Sequence, residues 1–344
     1  MTKSAPVRIG IDARKIADFG IGTYIRGLLH ALAATGEETF IAFGPASIAA
    51  QLPAGVEHVV VDAPHYSLRE LSVIGRAADG AALDLFHAPH YVVPATKVPV
   101  VVTIHDLIHL HRRERNPIKR LYARGMLRRA VRKSVRVITV SEAVARQLER
   151  ELGARDVAVT PNGIDARFFG DGAAAEGRFV VYAGNDKPHK NVATLVDAFD
   201  ELRATHGDVQ LVLAGGDFGR FADRDGVIAA GFVGDDELAA LFRGALAVVQ
   251  PSIEEGFGLP AAEAMACGAA VITSRAEALV EVTGDAALHV DARDTHALAA
   301  ALKQVIDDAA LRAALGARGR ERATALTWTR CAELTRRVYR DALG

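Results

Sequence analysis

The stretch Pro251-Ser252-Ile253-Glu254-Glu255-Gly256-Phe257-Gly258-Leu259-Pro260-Ala261-Ala262-Glu263-Ala264-Met265-Ala266-Cys267-Gly268 decides how this chain is read. A hydrophobic run over 245–249 precedes it and predicts a buried strand, the Glu-Gly-Phe-Gly loop follows, and Pro260 stands where a helix takes its first residue. This order predicts an anion site, because the backbone N–H groups of Gly258 to Ala262 are then unpaired at the positive end of a helix. Glycine at 256 and 258 lets a ligand come close to the backbone. Glu255 and Glu263 flank the site eight positions apart. Carboxylates repel phosphates, so their expected partners are hydroxyl groups elsewhere on the ligand, of a sugar or a ribose. The plainer alternative is a Gly-rich turn with solvated Glu254 and Glu255, in which Glu263 only favours the helix start. The coincidence of loop, proline and second carboxylate argues against it.

The stretch resembles the Glu-x7-Glu motif of the retaining glycosyltransferases of family 4, enzymes of the GT-B fold. The resemblance implies an α/β protein of two Rossmann-like domains whose parallel sheets face an interdomain cleft. It places Glu255 on the donor sugar, Glu263 on the ribose, and Gly256, Phe257, Gly258 and Leu259 on sugar and diphosphate.

Composition is compatible with this. The chain has 344 residues, 50% of them hydrophobic, enough for two domains with their own cores. A formal net charge of −1 gives no global reason to expect nucleic acid as a partner. Two well-separated cysteines, Cys267 and Cys331, argue against a disulfide framework and for a reducing compartment. No apolar run approaches the ~20 residues that span a bilayer. The expected location is cytoplasmic.

Strands are predicted at 7–11, 40–43, 56–61, 83–87 and 98–104, alternating with helical or loop stretches, which implies a parallel sheet with ligands beyond the strand C-termini. After the first strand, Phe19-Gly20-Ile21-Gly22-Thr23-Tyr24 forms a glycine loop before a helix. Its spacing is not that of a dinucleotide fingerprint, which weighs against a nicotinamide dehydrogenase. The resemblance implies that Gly20 and Gly22 lie over the diphosphate. His105 and Asp106 sit at a strand edge in Thr-Ile-His-Asp-Leu, where the family places a histidine against the donor sugar. His87 and His90 read as loop structure before acceptor contacts.

Pro117 is expected to open a helix with Ile118, Leu121, Leu127, Ala130 and Val131 on an apolar side. Arg120, Arg124, Arg128, Arg132 and Arg136 recur four apart as a basic stripe, with Lys119 and Lys133 beside it. The alternatives are a solvated face and peripheral contact with an anionic membrane or lipid-diphosphate acceptor. A strand over 135–140 leads to a helix capped by Ser141. Pro161-Asn162-Gly163-Ile164-Asp165 is a turn by its chemistry and, by resemblance, closes the first domain. The expected organisation is 1–168, 169–325 and a final helix, 326–344, that returns to the first domain, with 170–177 as a flexible linker.

The second half opens with a strand at 179–183 and the loop Gly184-Asn185-Asp186-Lys187-Pro188-His189-Lys190-Asn191, a candidate diphosphate clamp. Lys190 matches the family's phosphate lysine; Asn185 and His189 stand where the family often has arginine, and Lys187 is a further candidate. Phe232 and Val233, in Gly231-Phe232-Val233-Gly234-Asp235, are candidates near the nucleotide base.

The resemblance implies transfer of a sugar from a nucleotide diphosphate sugar, with His105, Glu255 and Lys190 as the catalytic candidates. No Asp or Glu is placed for a double-displacement nucleophile. No Asp-x-Asp motif falls in a fitting loop, so neither metal nor cofactor is expected. The variants Gly184-Asn185-Asp186-Lys187-Pro188-His189-Lys190-Asn191 and Gly20-Ile21-Gly22-Thr23-Tyr24 resemble those of bacterial mannosyltransferases of O-antigen and exopolysaccharide assembly, which points to GDP-mannose and to a saccharide or lipid-linked acceptor. A UDP- or dTDP-sugar donor, a sugar-nucleotide epimerase and a non-catalytic nucleotide-sugar binder are the alternatives.

Overall fold

The structure, a computed structural model, describes residues 6–63, 67–111 and 117–344. The chain divides into two units, one running through Gly163 and taking back Trp328–Gly344, the other Ile164–Thr327.

The first unit runs β1 (Arg8–Asp12), α1 (Ile21–Ala33), β2 (Thr39–Gly44), β3 (Glu57–Val60), α2 (Leu68–Gly80), β4 (Leu85–Ala88), β5 (Val100–Ile104), α3 (Ile108–His111), α4 (Pro117–Lys133), β6 (Arg136–Thr139), α5 (Glu142–Leu152) and β7 (Val157–Val159). The second runs β8 (Phe179–Ala183), α6 (Val192–Arg203), β9 (Gln210–Ala214), β10 (Val227–Gly231), α7 (Asp235–Gly244), β11 (Ala247–Gln250), α8 (Leu259–Ala266), β12 (Val271–Ser274), α9 (Glu277–Thr283), β13 (Ala287–Val290), α10 (Thr295–Asp307) and α11 (Ala309–Ala323). A last helix, α12 (Trp328–Leu343), belongs to the first unit.

Every paired strand is parallel: the first sheet is ordered β3-β2-β1-β4-β5-β6-β7 and the second β10-β9-β8-β11-β12-β13. The central strands read as unbroken apolar runs because helices cover both faces; Val100–Ile104 and Phe179–Ala183 are buried at every position. The winding direction reverses between β1 and β4 in one sheet and between β8 and β11 in the other. Loops leaving the C-terminal ends of those strands diverge there and leave room for a ligand.

Ser141 caps α5 as its chemistry predicts, its Oγ accepting from Val144 N–H at 3.3 Å. The helix α12 seats on α1 because Gly27 has no side chain: a Cβ there would lie 2.1 Å from Trp328 Cε2. Arg336 fixes the other end of the contact, donating to Glu38 Oε2 at 3.0 Å.

Two expectations need correction. The segment 170–177 is not a free linker: Ala175 N–H donates to Ala240 O at 2.9 Å and Arg243 donates to Ala173 O at 3.3 Å, which pins it to α7. Leu121 does not join the apolar side of α4; it is 73% exposed, because Ala123, Met126, Leu127 and Ala130 form the buried face. The side chains of Ile118 and Lys119 lie outside the described residues.

Candidate active site

In the second unit the switch point joins the two loops singled out by sequence. Pro188–Lys190 makes one tight turn after β8, and Asn191 ends it in the left-handed region at φ 59°. Asn191 Nδ2 then donates to Pro251 O at 3.2 Å and Ala292 O at 2.6 Å, while Ile253 N–H donates to His189 O at 2.8 Å. These bonds fasten the β8 loop to the β11 loop. Lys190 Nζ consequently donates to Glu255 Oε1 at 2.6 Å. Gln250 Nε2 and Ser252 Oγ donate to the same oxygen at 2.9 and 2.8 Å. Glu255 Oε2 has no partner among the described residues. Burial pushes the Glu255 carboxyl up, but the Lys190 charge and the three hydrogen bonds outweigh it, and the group is held below its ordinary range, hence ionised.

The helix start differs from expectation in one detail. Ala261 and Ala262 N–H turn back to Gly258 O at 3.0 and 3.2 Å, and Pro260 has no N–H. The donors without a partner among the described residues are those of Phe257, Gly258 and Leu259, a set that starts one position before the expected run Gly258 to Ala262 and ends at Leu259. Proline at the second helical position, behind Leu259, causes the shift. Gly258 caps the helix at φ 90°, and a Cβ there would lie 2.2 Å from Leu279 Cδ2. The α8 helix is apolar nearly all round and therefore sunk in the unit. Glu263 is its one polar residue, only 7% exposed. Burial, aided by the Asp235 and Asp165 charges, pushes its carboxyl up to about 8.

The other candidates in this unit are placed as follows. Asn185 Oδ1 accepts from Lys187 N–H at 3.3 Å, and Asn185 O accepts from the Tyr182 hydroxyl at 2.8 Å. Both contacts shape the loop. Lys187 is exposed, and the neighbouring Asp186 is paired with Arg220 at 2.5 Å. Phe232 stands out from the loop after β10, while Val233 is buried beneath it. Phe257 is buried.

In the first unit Gly20 caps α1 at φ 62°. Gly22 N–H donates to Asp18 O at 3.0 Å, and a Cβ on Gly22 would lie 2.5 Å from Ile16 O, so this glycine serves close packing. His105 Nε2 lies 3.0 Å from Pro89 O. A carbonyl only accepts, so Nε2 carries the proton and Nδ1 keeps its lone pair. Burial lowers the His105 pKa, leaving the imidazole neutral. Asp106 Oδ1 accepts from Ile108 N–H at 3.0 Å and opens α3.

Around these stand Tyr24 and Asp12, to which sequence reasoning assigned no role, and His87 and His90, which it read as loop structure. Tyr24 packs edge-on against His105, ring centroids 4.7 Å apart, and its hydroxyl bonds Thr103 Oγ1 at 2.9 Å. His87, inside strand β4 rather than in a loop, links Thr103 Oγ1 to the Tyr339 hydroxyl at 2.8 and 2.7 Å and is thus structural. His90 lies 3.4 Å from Asp12, whose carboxylate is clasped by Arg14, itself bonded to Glu70 at 2.9 Å. This buried cluster fixes the loops after β1 and β4. Gln250 and Ser252 were also missed; the signal was two polar side chains five and three positions before the motif glutamate.

Two parallel doubly wound units, one carrying a lysine–glutamate pair beside an open helix start, have the architecture of the GT-B class. The chain belongs to the glycosyltransferases: residues 20–168 match the family described as Glycosyltransferase Family 4, and residues 164–322 match Glycosyl transferases group 1. It is 28% identical over 283 residues to the O-antigen chain mannosyltransferase B of Escherichia coli, covering 74% of each chain. It is 34% identical over 235 residues to the phosphatidyl-myo-inositol mannosyltransferase of Mycolicibacterium smegmatis, covering 64% of this chain and 61% of that one. Its fold is like that of a sucrose-phosphate synthase from Thermosynechococcus elongatus, with a TM-score of 0.83 at 23% identity over 97% of this chain and 98% of that one.

Proposed function

We propose that this protein is a retaining glycosyltransferase that takes a sugar, mannose from GDP-mannose as the favoured donor, and passes it to a saccharide or lipid-linked saccharide in cell-surface polysaccharide synthesis. One observation carries the reading. The loops after β8 and β11 set a lysine 2.6 Å from a carboxylate whose second oxygen is open, in the same loop as three amides without partners among the described residues. The pair and the amides suit a diphosphate with a sugar attached. The choice of mannose is supported by the mannosyltransferase relatives.

In this reading Lys190 and the amides of Phe257, Gly258 and Leu259 hold the diphosphate, Glu255 Oε2 accepts from a sugar hydroxyl, and Glu263 accepts from the ribose. His105, neutral and with no partner on Nδ1 among the described residues, offers an acceptor to a further sugar hydroxyl. The bond from the anomeric carbon to the donor phosphate oxygen breaks, the acceptor oxygen bonds on the same face, and the acceptor proton passes to the departing phosphate. Charge grows on that phosphate, and each preorganised donor facing it is worth about 3–4 kcal/mol. Because protein groups carry this charge, the reaction is assigned no metal, and full activity in excess chelator is the expected result.

The acceptor side adds a surface. Arg120, Arg124, Arg128 and Arg132 are exposed on α4, with Leu121 exposed among them. Each cation near an anionic bilayer adds roughly 1 kcal/mol. No helix among the described residues is long and apolar enough to cross a membrane. We assign this stripe to peripheral contact with the inner face of the plasma membrane. Loss of sedimentation with anionic liposomes when Arg124, Arg128 and Arg132 become Glu is expected; unchanged sedimentation contradicts it.

The function is tested by incubating the protein with GDP-mannose, UDP-glucose and dTDP-glucose and a set of lipid-linked saccharides, then reading the product's anomeric configuration by NMR. A product with the donor's configuration supports the reading. An inverted product, or interconversion of free donor without acceptor, contradicts it.

A further inference from the structure

Glu255 Oε1 receives three hydrogen bonds, of which only that from Lys190 carries charge. The two neutral donors are built in with care. Gln250 is fully buried and turns its Nε2 to both Glu255 Oε1 and Ser252 Oγ, at 2.9 and 3.1 Å, while its own Oε1 is left buried with no partner among the described residues. An unsatisfied buried carbonyl costs free energy, so this orientation is dictated by what Nε2 does. Ser252 is held in turn by Ser274, whose Oγ donates to Ser252 O.

Two neutral donors are more than Glu255 needs while Lys190 is on it. They matter once the lysine is elsewhere. Resting on the assignment of the donor diphosphate to Lys190, we propose that Lys190 alternates between Glu255 and the diphosphate, and that Gln250 and Ser252 are positioning residues that keep Glu255 ionised and aimed after the lysine has moved. In the free protein Glu255 holds Lys190. An arriving nucleotide sugar draws the lysine to its phosphates, and a sugar hydroxyl on Glu255 replaces the lost contact. A nucleoside diphosphate without sugar also takes Lys190, but leaves Glu255 with neither cation nor hydroxyl. The pair therefore disfavours the spent product relative to the donor and helps to expel it, and product release is a step that limits many enzymes.

A merely structural role for these groups cannot tighten nucleotide binding, and the inference requires tightening. Glu255→Gln keeps the shape of the acceptor but weakens its hold on Lys190. Calorimetric titration with GDP and with UDP should show tighter binding to Glu255→Gln than to wild type, on the order of tenfold. The gain should vanish in a Lys190→Met background, as a double-mutant cycle requires when one group acts through the other. Gln250→Met should weaken nucleotide binding several-fold, because Glu255 then holds Lys190 harder, and should have no such effect beside Glu255→Gln.

A gain that persists without Lys190 would reflect plain repulsion between carboxylate and phosphate and overturns the inference. Binding to wild type with no gain in Glu255→Gln overturns it as well and leaves the donor site standing. If wild type binds neither nucleotide, the inference falls together with the donor reading. Thermal unfolding of each variant separates loss of fold from loss of binding; Lys190→Met with Glu255→Gln removes both charges and spares the fold an unpaired carboxylate.

Discussion

Lys190 Nζ and Glu255 Oε1 meet at 2.6 Å although 65 positions separate them in the chain. The cause is topological. Strands β8 and β11 are hydrogen-bonded neighbours, while β9 and β10 lie to the other side of β8, so the two loops share one sheet edge. Sheet order thus turns two sequence motifs into one charged site.

Removing Lys190 strips an ionised, nearly buried carboxylate of its cation. Lys190→Met should lower kcat by about 10²–10³-fold, the effect of losing one donor to a developing negative charge. It should also cost up to about 3–5 kcal/mol of stability, from the uncompensated Glu255. Adding Glu255→Gln should restore stability without restoring turnover; chemical unfolding and steady-state assays of the same preparations read the two effects.

Gly258 works at φ 90° with Leu279 2.2 Å from where a Cβ would stand. Gly258→Ala should destabilise the second unit by about 1–3 kcal/mol through backbone strain alone, with the clash in addition. Leu279→Ala in the same background should relieve the clash but not the strain. Scanning calorimetry checks both, and nucleotide affinity should fall in each, because the Gly258 amide moves.

The Glu263 carboxyl, pushed up to about 8 from an ordinary 4.5 by burial and by Asp235 and Asp165, favours the folded state in its neutral form. A raised folded-state pKa contributes stability that is complete below about 4.5 and is lost as pH rises through about 8. Between pH 5 and 8, wild type should therefore lose stability relative to Glu263→Gln, by at most about 1.4 kcal/mol per pH unit. Parallel stability curves for the two proteins across that range would contradict the assignment.

His105 is lowered from its ordinary 6.5 by burial and donates from Nε2 to Pro89 O. An NMR titration of labelled histidine should place its midpoint below 6.5, with the Nε2–H tautomer throughout the neutral range. Tyr24→Leu, which removes the ring whose centroid lies 4.7 Å from that of the imidazole, should broaden that signal and lower kcat more than it alters nucleotide affinity.

Much of this architecture was legible in the sequence because its signals are local. Buried parallel strands are continuous apolar runs, and Ser141 announces a helix start by its own hydrogen-bonding chemistry. What escaped was set by tertiary partners. The short run Val227–Gly231 lacks bulk and becomes strand β10 only by pairing with β9. Leu121 fits an apolar stripe by spacing, yet four neighbours bury the face instead. The loops of the candidate site were readable as motifs, but not that three donors converge on one oxygen of Glu255. Nor could spacing show that Gly22 N–H is already spent on Asp18 O.

The central claim is that the second unit holds a nucleotide diphosphate between Lys190 and the start of α8. Calorimetric titration of the wild-type protein with GDP, UDP, dTDP and ADP tests it most directly. The account predicts saturable binding, selective for GDP if mannose is the sugar moved, and weakened when Lys190 is replaced by Met. Selective binding of UDP or dTDP would overturn the GDP-mannose assignment alone; no binding of any of the four would contradict the site itself.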